Sequence, residues 1–268
     1  MTVTVRMTGI TKVYPRAVAN RNATVEFRAG EVHAIVGENG AGKSTLMKIL
    51  YGAVKPDMGE TTVRGVRISH ASPAESIRAG IGMVFQHFML VPQLTVAENV
   101  VLGAEPVRGP FFDRERAERD VAELSKKYGL PIDPHRRIED CPVGLQQRVE
   151  ILKVLARGAE VILLDEPTAV LTPQEVDELI GVMRRLAAAG KTVVLITHKL
   201  REVMAASDRV TIMRHGETVE TLETKKTTAA EIAHKMIGRE LEVPTRPTSA
   251  KGAAVLEVRA LRAAGLAG

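Results

Sequence analysis

The stretch from Val32 to Leu50 constrains the fold more than any other part of this 268-residue chain. A short apolar run, Val32 to Val36, passes into a turn with glycines at 37, 40 and 42. Leu46, Met47, Ile49 and Leu50 then follow at helical spacing. The order is strand, loop, helix. Gly37, Gly42, Lys43 and Ser44 satisfy G-x-x-x-x-G-K-[ST], the phosphate-binding loop known as Walker A. Glycines let successive backbone N–H groups curl round a phosphate, and the helix presents its positive end. Lys43 reaches the outer phosphates, and the Ser44 hydroxyl suits Mg²⁺. The expected ligand is a nucleoside triphosphate, contacted by Gly37, Asn39, Gly40, Ala41, Gly42, Lys43, Ser44 and Thr45. A Gly-rich helix start with no ligand is the alternative; the strand and helix on either side disfavour it.

Composition bounds the setting. At 45% hydrophobic residues the chain can bury a core as one large domain or two small ones. The longest uncharged run, 79–97, contains Gln86, His87, Pro92 and Gln93 and makes a poor membrane span. The N-terminus lacks a signal-peptide pattern and Cys141 is the single cysteine, so a cytosolic setting is expected. The formal charge is +5, but the 37 basic and 32 acidic residues are interspersed, which reads as a solvated surface more than a nucleic-acid interface.

Residues 3–28 alternate well enough for two or three strands, with Val3, Val5 and Met7 on one face and Val25 and Phe27 in another strand. Tyr14-Pro15 marks a loop between them. Tyr14 can stack on a base or simply pack. The run 61–68 reads as a strand or hairpin arm, 73–79 as a helix, and 81–85 as an apolar strand ending at Gln86. Asp113 is a plausible N-cap for a helix to Tyr128, stopped by Gly129, with Ala117, Val121, Leu124 and Tyr128 on one face. Val149, Leu152 and Leu155 mark another helix that closes at Gly158. Residues 88–156 therefore read as a mainly helical insertion.

Val161 to Glu166 is an apolar strand ending in two carboxyl groups, the Walker B pattern, and strand C-termini are where ligands sit in a parallel α/β sheet. Asp165 can hold Mg²⁺ and Glu166 can take a proton from an attacking water; a plain helix-start signal is the competing explanation. A helix over 173–189 and a strand over 192–196 follow, which puts His198 on the same sheet edge as Asp165 and makes it a candidate γ-phosphate contact.

Taken in this order and spacing, the phosphate loop, Gln86, the helical insertion, Asp165-Glu166 and His198 resemble the ATP-binding subunit of ABC transporters from about residue 3 to 241. Gln86-His-Phe-Met-Leu-Val-Pro92, Val143-Gly-Leu-Gln-Gln-Arg-Val-Glu-Ile-Leu-Lys153 and Ile196-Thr-His-Lys-Leu200 look like the branch serving nucleoside and simple-sugar importers. The resemblance implies a P-loop NTPase core with a parallel central sheet, an N-terminal antiparallel β region and the inserted helical subdomain. It implies that Tyr14 stacks on adenine, Gln86 senses Mg²⁺ and the membrane partner, Glu166 is the general base, His198 contacts the γ-phosphate and MgATP is hydrolysed. It also implies a head-to-tail dimer whose members complete each other's sites with a signature loop, here Pro142, Val143, Gly144 and Gln146. Transmembrane permease subunits and an extracytoplasmic solute-binding protein would be the other partners, at the inner face of the membrane. Rival expectations are a soluble ABC-type ATPase acting on ribosomes or nucleic acid, and a nucleotide-binding module without turnover.

The chain departs from the family pattern where L-S-G-G-Q is usual. It reads Cys141-Pro142-Val143-Gly144-Leu145. Proline offers neither hydroxyl nor N–H, and a hydrogen bond to a charged group is worth about 1.5–3 kcal/mol. Thr172 stands where the so-called D-loop usually has aspartate. Residues 1–242 make the expected nucleotide-binding domain and 243–254 a linker. Leu256 to Arg262 echoes Val5 to Thr11, so 255–268 is the expected first strand of a second ATPase domain, this chain being the first half of a tandem pair.

Overall fold

A computed structural model of the chain describes residues 2–70 and 72–238. It opens with a long hairpin, β1 (Val3–Tyr14) and β2 (Ala17–Arg28), which turns at Pro15 and pairs Val5 with Phe27 and Met7 with Val25. Next come β3 (Val32–Val36) and α1 (Lys43–Leu50), then a second hairpin, β4 (Met58–Val63) and β5 (Val66–Ile68). Arg64 and Gly65 at its tip both take positive φ, 50° and 80°, as a two-residue turn between twisted strands requires. These two hairpins form an antiparallel sheet in the order β2-β1-β4-β5. After α2 (Pro73–Arg78) and β6 (Ile81–Val84) the chain enters α3 (Val96–Val101), a small hairpin β7 (Val107–Arg108) and β8 (Phe111–Phe112), α4 (Arg114–Tyr128) and α5 (Val143–Ala156). It returns through β9 (Val161–Asp165), α6 (Pro173–Ala188), β10 (Thr192–Ile196), α7 (Leu200–Ala206), β11 (Arg209–Arg214), β12 (Glu217–Glu223) and α8 (Ala229–Ile237).

The main sheet has the order β12-β11-β3-β10-β9-β6. All neighbours pair in parallel except β12, which runs antiparallel at the edge. Ile196 lies opposite both Ile35 and Asp165, so β3, β9 and β10 end level on one edge. Both faces of the sheet's central strands β3, β9 and β10 are buried. Leu163, Val194 and Ile35 pack with α1 and the antiparallel sheet, whereas Leu164, Leu195 and Val193 pack with α5 and α6. That two-sided burial is why β9 and β10 read as continuous apolar runs and not as alternation.

Between β6 and β9 the chain carries the helices α3, α4 and α5. Asp113 Oδ1 accepts the Arg116 N–H at 3.1 Å to cap α4, and Gly129 ends the helix at φ 62°. Two features inside the insertion differ from expectation. The hairpin β7–β8 breaks its helical character, and α3 is an extra helix that starts with a reciprocal cap between Thr95 and Glu98. Among the described residues no helix is long and apolar enough to cross a membrane. The linker over 243–254 and the strand over 255–268 lie outside the described residues.

His33 on β3 sits fully buried, with Nδ1 3.1 Å from Glu31 Oε1 and Nε2 2.7 Å from the Thr211 hydroxyl. Burial pulls its pKa below the ordinary 6.5, partly opposed by Glu31. The unfolded chain therefore takes up this proton first as pH falls. Stability is complete above the ordinary value and is lost as pH drops from there toward the folded-state pKa. The denaturant midpoint is expected to fall as the pH drops through and below the ordinary histidine value of 6.5, and His33→Gln to flatten that part of the profile. Identical slopes in the two proteins would place the acid sensitivity elsewhere.

Candidate functional site

The phosphate loop leaves β3 at Val36 and enters α1 at Lys43. Gly42 holds the N-cap position at φ 95° and supplies no side-chain cap, so the first N–H groups of α1 face outward. The Lys43 ammonium is buried and donates to the Gly37 and Glu38 carbonyls at 2.8 and 3.0 Å. Burial pulls its pKa below the usual lysine range, against the opposing pull of Glu166 and Asp165. A desolvated cation held only by carbonyls, beside uncapped helix N–H groups, is an arrangement that accepts an anion.

Asp165 arrives on the last residue of β9, where its Oδ1 accepts the Ser44 hydroxyl at 3.0 Å. Burial pushes the carboxyl up, with the Ser44 hydrogen bond and Lys48 pulling the other way. A hydroxyl beside a buried carboxyl oxygen is a hard-oxygen pair that fits Mg²⁺. Glu166, one residue on, takes φ 46°, and its N–H donates to the Ile196 carbonyl at 3.0 Å. The turn brings its Oε1 to 3.2 Å from His198 Nδ1, across from the end of β10.

One groove is shared by Tyr14, Ala17, Val18 and Ala19 from the β1–β2 hairpin, by Asn39 to Thr45 of the loop, and by Glu166. The structure thus gathers Tyr14, Lys43, Ser44, Asp165, Glu166 and His198 about one sheet edge. Tyr14 is 41% exposed, with the Lys12 ammonium 5.6 Å from its ring centre. Gln86 stands exposed just past β6 on the same edge and is not part of the groove lining.

The residues of 141–146 lie elsewhere. Pro142 caps α5 through its carbonyl, which accepts the Leu145 and Gln146 N–H groups at 2.9 and 3.1 Å. Pro142 and Val143 are exposed, and the cleft lined by Pro142 and Gly144 lies between α5 and α6 with no residue in common with the phosphate groove. A Cβ on Gly144 would come 2.4 Å from Glu175 Oε1, so the Glu175 side chain packs directly over this glycine. Gln146 Nε2 donates back to the Cys141 carbonyl at 2.9 Å. Thr172 serves as the N-cap of α6 in a reciprocal pair with Glu175.

Sequence reasoning missed Ala17 to Ala19, whose small side chains carry no chemical signal. It also missed Asn20, fully buried, which donates to the Gly42 carbonyl at 3.2 Å and leaves its Oδ1 unpartnered. Only its place after the Tyr14-Pro15 turn could have drawn notice.

A family profile described as ABC transporter matches residues 20–169. The nucleoside import ATP-binding protein NupA of Lactococcus lactis subsp. cremoris is 46% identical over 258 residues, covering 96% of this chain and 51% of that protein. The guanosine import ATP-binding protein NupO of Bacillus subtilis is 46% identical over 259 residues, again 96% and 51%. The chain therefore spans about half the length of these relatives. A solved nucleotide-free ATP-binding cassette from an ABC transporter superposes with a TM-score of 0.78 at 24% identity, covering 89% of this chain and all of that one. With the profile spanning more than half of the residues and the fold agreeing over most of them, the chain belongs to the ABC transporter family.

Proposed function

We propose that this chain binds and hydrolyses ATP to power the uptake of a solute, and that the solute is a nucleoside. The observation that carries the reading is the meeting of Lys43, Ser44, Asp165, Glu166 and His198 at one end of a parallel sheet. The nucleoside class rests on the names of the two relatives at 46% identity.

The chemistry follows from the groups present. The loop from Gly37 to Thr45 and the α1 N-terminus receive the phosphates, and Lys43 exchanges its carbonyl partners for phosphate oxygens. Tyr14 stacks on the base. Ser44 and Asp165 would hold Mg²⁺, with Gln86 at the end of the neighbouring strand as a further ligand. Bound there, the ion supplies neutralisation of phosphate charge. Glu166 takes the proton of the attacking water, and His198 orients that carboxyl group and contacts the γ-phosphate.

Pro142, Val143, Gly144 and Gln146 are absent from the lining of the chain's own phosphate groove, which supports a head-to-tail arrangement in which they complete the site of a second ABC ATPase domain. Permease subunits receive the work at the cytoplasmic face of the membrane, and a solute-binding protein outside delivers the cargo. Because Pro142 offers no donor, a site completed by it loses about 1.5–3 kcal/mol, a tenfold to hundredfold effect. Steady-state ATPase measurements on the full chain are therefore expected to give slow turnover that Pro142→Ser raises by about that factor. Fast, cooperative turnover by the wild type, unchanged by Pro142→Ser, would overturn the role given to this loop.

A further inference from the structure

Behind the contact between Glu166 and His198 lies a buried polar ring that the chemistry above does not use. Glu202, on α7, is 4% exposed. Its Oε1 accepts the Thr168 hydroxyl at 2.6 Å and its Oε2 accepts the Thr197 hydroxyl at 3.1 Å. Lys199 closes the ring. Its Nζ donates to the Thr168 carbonyl at 2.9 Å and to the Thr168 hydroxyl at 3.2 Å, and lies 3.4 Å from Glu202 Oε1. Its backbone N–H donates to the Thr197 hydroxyl at 3.0 Å.

The ring's members sit beside the proposed catalytic groups. Thr168 follows Glu166 by two residues, and Thr197 and Lys199 flank His198. Thr168 and Thr197 are both buried, so their hydroxyls answer to this ring and not to water. A well-packed apolar side chain in place of a buried, fully bonded charge is often as stable or more so. The ring's contribution therefore lies in what it holds still. It ties the loop after β9 to the loop after β10, 34 residues apart between Thr168 and Glu202.

We propose that Glu202 and Lys199 are positioning residues for the hydrolysis assigned above, holding His198 and Glu166 in register by joining the loops that carry them. The inference rests on that reading of Glu166 and His198. Neither residue touches the groove that holds Lys43 and Ser44, so loosening the ring leaves nucleotide binding in place. It displaces His198 against Glu166, and a misplacement of about 1 Å can cost about 100-fold in rate.

The test uses the full chain with ¹⁵N-labelled histidine, the His198 ring signals being assigned by their loss in His198→Gln. Glu202→Gln and Lys199→Met are each expected to shift the His198 signals, as Glu166→Gln does. Both are expected to slow single-turnover ATP hydrolysis by about 10- to 100-fold with ATP affinity unchanged. In a His198→Ala background Glu202→Gln should cost less than it does alone, because the part of its effect that passes through the contact between His198 and Glu166 has no target left. The Lys199 side chain is 41% exposed, so Lys199→Met keeps the test open should the buried variant not fold. Unmoved His198 signals in both variants, or losses that add in full in the double variant, would overturn the proposal. If Glu166→Gln and His198→Ala hydrolyse like wild type, the hydrolytic reading fails instead, and the His198 signals still decide whether the ring sets the contact.

Discussion

Glu166→Gln is expected to leave MgATP binding intact and to lower hydrolysis by about 10²- to 10⁴-fold, the range for losing a positioned general base. The two halves of this result have separate physical sources. Binding is assigned to the loop, Lys43, Ser44 and Asp165, and none of these relies on the Glu166 carboxyl group for its position. Glu166 is instead fixed by backbone, through its N–H bond to Ile196, and by the His198 ring at 3.2 Å. Glutamine has nearly the same shape and can keep a hydrogen bond to that ring, but it cannot accept a proton from water at neutral pH. Equilibrium titration of nucleotide and single-turnover hydrolysis with the chain in excess over ATP measure the two quantities independently. Turnover near the wild-type rate would remove Glu166 from the proton-transfer role. Loss of binding along with turnover would make its function structural.

The Pro142 and Thr172 departures have different consequences, and the geometry explains why. Thr172 caps α6 with both partners of a reciprocal cap in place, so the helix start is as well served as it would be by aspartate. Pro142 also starts a helix competently, since its carbonyl accepts two N–H groups and its fixed φ suits the position. What proline cannot do is donate a hydrogen bond outward. The fold tolerates it, and the cost falls on whatever ligand meets the exposed end of α5.

The elements that carry the site were legible because their local signals agree. β9 and β10 are apolar runs stopped by polar residues, and they fold over 161–165 and 192–196 as the runs predict. α4 was delimited by Asp113 and Gly129, the two residues whose chemistry ends a helix. Other parts left no such mark. The β1–β2 hairpin forms two strands of twelve residues, but its alternation is broken by bulges near Gly9 and Asn22, both at positive φ. α3 is only six residues long and begins where the uncharged run over 79–97 ends, and its buried Asn99 spends its side chain on the Val91 and Thr95 backbone, which no periodicity reveals. The ring around Glu202 joins residues far apart in sequence. Each of its threonines alone reads as a strand-end or loop residue. Charged groups at the ends of apolar strands were visible, because a parallel sheet brings those ends to one edge; hydroxyls and carboxyl groups that meet only by packing, as in this ring, were not.

A second large effect is expected at Gly42, and Gly40 makes the comparison informative. Both take positive φ, 95° and 84°, so alanine at either position pays about 1–2 kcal/mol for the left-handed conformation. At Gly40 nothing lies within 4 Å of an added Cβ. At Gly42 that atom would come 2.1 Å from the Ala19 carbonyl oxygen and 2.7 Å from Asn20 Nδ2, so backbone must move. The Ala19 segment cannot yield freely, because the neighbouring Arg21 N–H is bonded to the Gly216 carbonyl and Asn20 is fully buried. Displacement therefore falls on Gly42, whose carbonyl accepts the Leu46 N–H at 2.9 Å and begins α1. Lys43 and Ser44 are the next two residues and move with it. Gly42→Ala is accordingly expected to weaken MgATP binding by at least about tenfold more than Gly40→Ala, equivalent to about 1.4 kcal/mol, while circular dichroism reports the same fold for both. Equal losses at the two glycines would mean that conformation alone, and not the approach of β2, demands glycine at the start of α1.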